Sequence, residues 1–66
     1  MVRTDRIKER LKKTDKSQAW LARKMYLDPR TLGVKLKQGK FNSDELEMIA
    51  EILELENPWE FLFGRD

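Results

Sequence analysis

The chain has 66 residues, with 14 Lys and Arg against 12 Asp and Glu for a formal net charge of +2, and it contains neither cysteine nor histidine. That length bounds it to one small domain, residues 1–66, whose marginal core calls for well-packed elements or self-association. Without cysteine there is no disulfide or thiolate metal site, and without histidine the commonest general base and metal ligand is missing; the expectation is a non-enzyme with no metal and no cofactor.

Strand alternation is absent, and glycine and proline fall where helices should begin or end, so the pattern predicts an all-α chain of five short helices. The first runs from about Asp5 to Lys13 with Thr4 as its cap, and Ile7 and Leu11, four apart, give it one narrow apolar stripe. The second begins after Ser17, a good cap, and carries Ala19, Leu21, Ala22 and Met25, with small Ala22 allowing close approach of a neighbour.

The third helix, in "DPRTLGVKLKQGK", starts after Asp28 with Pro29 at its first position and stops at Gly39. Leu27 and Leu32 have hydrophobic-staple spacing, and Leu32 and Leu36 face inward together. The fourth begins after Asn42, which forms a capping box with Glu45, while Phe41 and Leu46 repeat the staple. Leu46, Ile49, Ala50 and Leu53 make its apolar face; Glu47, Glu51 and Glu54 make the other side acidic. The fifth, "NPWEFLFG", has Asn57 as cap, Pro58 first, Glu60 completing a second capping box, and Gly64 at its end. Trp59, Phe61, Leu62 and Phe63 occupy more faces than one core-facing stripe can hide.

The small net charge conceals a split. Residues 1–40 hold 13 of the 14 Lys and Arg against four acids, a net +9, whereas residues 41–66 hold one against eight, a net −7. Such asymmetry suggests that one half faces a polyanion and the other does not. Two short helices joined at Tyr26-Leu27-Asp28, the second of them basic, match the helix-turn-helix unit in spacing. A recognition helix must enter a major groove about 12 Å wide, so its outward side should be slim. Gly33 and Val34 would let the backbone come close to base edges, and Arg30 can reach a guanine with two hydrogen bonds. A purely structural alternative for Gly33 is that it makes room for the second helix.

The stretch "SQAWLARKMYLDPRTLGVKLKQGKFNSDELEMIAEILEL" resembles the Cro/CI-type helix-turn-helix family of phage and bacterial repressors, and within it the small Cro-like proteins of phages. The resemblance is carried by Ser17-Gln18, the Leu21-Ala22 pair, Leu27 before the turn, Thr31-Leu32, Gly39-Lys40 and the "DELEMIAEIL" helix, and it covers roughly residues 4–64. It implies a lambda-repressor-like five-helix fold that binds double-stranded operator DNA as a homodimer and regulates transcription as a repressor. It also implies base contacts from Pro29, Arg30, Gly33 and Val34. Phosphate contacts would come from Ser17, Gln18, Lys35, Lys37, Gln38, Lys40 and Asn42. Three positions depart from the family pattern. Tyr26 stands where a turn glycine is usual, so it takes a positive φ or shifts the turn; Arg30 is the one strong hydrogen-bonding side chain at a base-facing position; and Gly39 comes one residue late.

Trp59, Leu62 and Phe63 are the expected dimer interface, the alternative being that the fifth helix caps the monomer's own core. Trp20 is expected to pack on the first helix, on a partner chain or along the DNA backbone. The competing function is a protein-interaction module that modulates a partner repressor through the acidic half and apolar tail. No apolar run approaches the ~18 residues of a membrane span. The opening MVRTDRIKERLKK has no signal-peptide core. No membrane association is therefore expected, and the expected location is the cytoplasm, at the nucleoid or in a host cell.

Overall fold

The computed structural model describes residues 2–64, so Met1, Arg65 and Asp66 of the expected 1–66 domain lie outside the described residues. Five α-helices and no strand occur among them: α1 Thr4–Lys13, α2 Gln18–Lys24, α3 Pro29–Gln38, α4 Ser43–Ile52 and α5 Pro58–Phe63. None is long and apolar enough to cross a membrane. α2 packs on α3, and α1 on α5.

The core takes one large side chain from each helix: Ile7, Leu21, Leu32, Ile49 and Leu62 are fully buried. Each contributes roughly 1.5–3 kcal/mol relative to exposure. Leu11, Ala22, Met25, Leu36 and Leu53 complete it, together with Val2 from the segment before α1. Val2 is anchored by the next peptide, whose Arg3 N–H donates to the Leu62 carbonyl at 2.7 Å and ties the N-terminal segment to α5. Ala19, placed with the apolar residues of α2 by sequence, is exposed.

The caps agree with the sequence in three helices and differ in two. Ser17 accepts from the Trp20 N–H, Asp28 from the Arg30 N–H, and Asn42 and Glu45 form the full reciprocal box. Thr4, expected to cap α1, is instead its first helical residue; Arg3 holds the cap position without a side-chain bond, and its guanidinium binds Asp5 in the first turn. Asn57 makes no side-chain cap on α5, so the second expected capping box does not form. With φ −124° and ψ 77°, Asn57 lacks the extended backbone found at Ser17, Asp28 and Asn42, the three caps that work.

Four helix ends share one construction. The first residue after α3, and the second after α1, α2 and α4, turns left-handed, and the next N–H returns to a carbonyl five residues back, the Schellman arrangement. These bonds are Lys16 to Leu11 at 2.8 Å, Leu27 to Ala22 at 2.8 Å, Lys40 to Lys35 at 3.2 Å and Leu55 to Ala50 at 3.0 Å. Only one of the left-handed residues is glycine, Gly39 at φ 68°; the others are Asp15, Tyr26 and Glu54 at 58°, 59° and 53°. A side chain in that region costs roughly 1–2 kcal/mol. Tyr26 thus takes the positive φ, and four residues, Met25 to Asp28, separate α2 from α3 where three were expected.

Candidate nucleic-acid interface

Leu32 and Leu36, both buried, fix the rotation of α3 about its axis. Arg30, Gly33, Val34 and Lys37 follow the i, i+3, i+4, i+7 spacing of a single helical stripe on the other side. Arg30 and Lys37 are exposed, and Val34 is 53% exposed. The start of this stripe is set by Asp28, whose carboxylate accepts the Arg30 N–H at 2.8 Å, and by exposed Pro29 in the first turn. A Cβ added at Gly33 would meet nothing within 4 Å. The absence of a side chain there therefore makes no room for α2, the structural alternative weighed from sequence. Helix propensity disfavours glycine at a mid-helix site by about 1 kcal/mol relative to alanine.

Around the stripe, Gln18 is exposed at the start of α2, and Lys37, Gln38 and Lys40 are exposed at the end of α3 and beyond it. Two of the expected phosphate ligands already have intramolecular duties. Ser17 Oγ accepts the Trp20 N–H at 3.0 Å, and Asn42 Oδ1 accepts the Glu45 N–H at 2.8 Å. The Ser17 hydroxyl proton and the Asn42 amide NH2 are what each could offer a phosphate. Lys35 is different: its ammonium lies 3.1 Å from the Glu45 carboxylate, with 29% and 13% of the two side chains exposed. Burial pushes the Glu45 carboxyl up, but the Asn42 N–H and the Lys35 ammonium outweigh it and hold it below its ordinary range. Lys35 thus fastens α3 to α4, its ammonium engaged by Glu45.

The basic residues divide by exposure. Arg3, Arg6, Arg10 and Lys35 are half-buried. Arg6 donates to the Glu60 and Phe61 carbonyls at 2.8 and 3.0 Å, Arg10 to Leu53 at 3.3 Å and Arg3 to Gly64 at 3.3 Å. Three arginines of the N-terminal half thus satisfy carbonyls at the ends of α4 and α5. The other nine cations, Lys8, Lys12, Lys13, Lys16, Arg23, Lys24, Arg30, Lys37 and Lys40, are exposed and form no ion pair among the described residues. Six of the nine precede α3 and were not singled out by sequence; the four-residue spacing of Lys8, Lys12 and Lys16 was the available signal. Trp20 lies half-buried against the core, with the Lys16 and Lys24 ammoniums 5.3 and 5.8 Å from its ring centroid.

The expected dimer residues separate. Leu62 is 2% exposed and belongs to the core, so it is not available to a partner chain; its place on the inner side of a six-residue helix is fixed by packing that sequence spacing alone did not resolve. Trp59 is 74% exposed and Phe63 37%, and their rings stack at 5.2 Å. They wall a groove whose floor includes Leu46 and Ala50 of α4. Compared with protein-family models, curated proteins and solved structures, the chain shows no match.

Proposed function

We propose that this chain is a sequence-specific DNA-binding transcriptional regulator, a Cro-like repressor in which α2 and α3 form a helix-turn-helix and α3 enters the major groove of operator DNA. Arg30 reads a guanine edge, Val34 meets a thymine methyl, and Pro29 and Gly33 let the backbone approach the bases. Gln18, Lys37, Gln38 and Lys40, with Ser17 and Asn42 through their remaining donors, hold phosphates and supply most of the affinity. Two copies sit about 34 Å apart along one face of the duplex. Trp59 and Phe63 provide the contact between them.

The observation that carries this reading is the open space at Gly33. A glycine that disfavours its helix and relieves no internal clash is explained by something that approaches from outside. Gly33→Ala is therefore the decisive substitution, read against sites selected from random DNA. The variant should gain about 0.5–1 kcal/mol of stability. It should lose about tenfold or more in operator affinity, the effect of forcing a methyl into a close-packed contact. A variant that is more stable and binds equally well would remove the support for α3 as the reading helix.

The stacked, exposed Trp59 and Phe63 beside an acidic α4 favour a second reading, a module that binds a partner repressor protein. DNA retention only in the presence of a second protein would select it over the first.

A further inference from the structure

Where the end of α1 meets the start of α2, Lys8, Lys12 and Lys16 line an open cleft with Leu11, Asp15, Ser17 and Gln18. Lys8 and Lys12 stand one turn apart on α1, a rise of about 6 Å. Lys16 continues the row, its ammonium held over the Trp20 ring at 5.3 Å. All three are exposed and form no ion pair among the described residues. Flexible ammoniums are point charges suited to phosphate oxygens rather than to the forked edge of a base. Asp15 is the one acid in the cleft, so the row keeps a clear positive excess.

We propose that this cleft is a second phosphate track, holding the sugar–phosphate backbone of the duplex beyond the segment that α3 reads. The inference rests on the DNA-binding reading of α3, and Ser17 and Gln18 belong to both surfaces, which makes them continuous. The footprint of one subunit is then wider than the α3 stripe.

The test uses the full chain and a labelled random-sequence duplex two helical turns long, with affinity measured from about 50 to 200 mM salt. Lys8→Gln/Lys12→Gln alters only exposed side chains, and circular dichroism checks its fold. It should reduce the slope of log affinity on log salt by about two per subunit. Asp15→Asn should do the opposite, tightening binding a few-fold, because asparagine accepts the left-handed backbone at that position. If the double variant keeps the wild-type slope while Lys37→Gln/Lys40→Gln lowers it, the cleft is not a phosphate track and the α3 reading stands. If the wild-type chain binds no duplex at all, both fall.

Discussion

The two halves of the molecule use charge in different ways. In α4 and α5 the exposed acids Asp44, Glu47, Glu51 and Glu60 project outward, as do Glu54 and Glu56 of the α4–α5 loop, and among the described acids of this half Glu45 turns in to meet Lys35. In the N-terminal half the cations divide into a half-buried set that holds α4 and α5 in place and an exposed set with no ion-pair partner among the described residues. A run of Lys and Arg in the sequence is thus two populations with separate duties, and exposure is what tells them apart. The arginines predominate inside, where a planar fork can bridge two carbonyls; the lysines predominate outside.

Four experiments would break or sharpen this division. The largest effect is expected inside α5 itself. Leu62→Ala should cost about 2–5 kcal/mol in urea unfolding, a large share of the stability of so small a chain. Trp59→Ala should stay within about 0.5 kcal/mol of the unmodified monomer while abolishing self-association on operator DNA in sedimentation velocity. Equal costs for the two would merge core and surface in α5. Next come the two kinds of arginine. Arg30→Ala should weaken operator binding by about 1–3 kcal/mol and relax preference at one base pair without altering the fold. Arg10→Ala should leave preference intact and cost about 1–2 kcal/mol in stability.

A smaller effect is expected at the one acid that faces inward. Glu45→Gln should cost about 1 kcal/mol at neutral pH through the capping box and the Lys35 pair. The folded carboxyl titrates below its ordinary value of 4.5, so its contribution is present above that value and disappears as pH falls through the depressed one. The acid limb of the unmodified chain should accordingly be steeper than that of the variant, and parallel limbs would take Glu45 out of the account. The smallest effect is at the left-handed corners. Tyr26→Gly should stabilise by about 0.5–1 kcal/mol, since a ring 91% exposed loses little packing. Gly39→Ala should destabilise by about 1 kcal/mol.

Local signals in the sequence were sufficient for the helices. The serine, aspartate and asparagine caps of α2, α3 and α4, the proline of α3 and the four-residue apolar spacings each act over one turn, and each appears where spacing puts it. The outward placing of Arg30, Gly33 and Val34 was legible for the same reason, because helical phase alone sets it; Lys37, read only as a phosphate contact, falls in the same phase. What the sequence did not reveal depends on distant partners. Nothing near Lys35 announces Glu45, and nothing near Arg6 announces the carbonyls at the end of α5. Leu62 looked equivalent to its apolar neighbours until the fold assigned one to the core and left Trp59 outside. The left-handed corners at Asp15 and Glu54 carry no glycine to mark them; Gly39 was visible by its residue type, and Tyr26 only because the family resemblance puts a turn glycine there.

The corner at Tyr26 has a practical use. Its phenol stands in water two residues ahead of the Asp28 cap, in a chain without a single thiol. Tyr26→Cys would therefore accept one maleimide dye per molecule at a fixed place beside the start of α3. Energy transfer from that dye to fluorophores at either end of a duplex would report the orientation of the helix on DNA by triangulation.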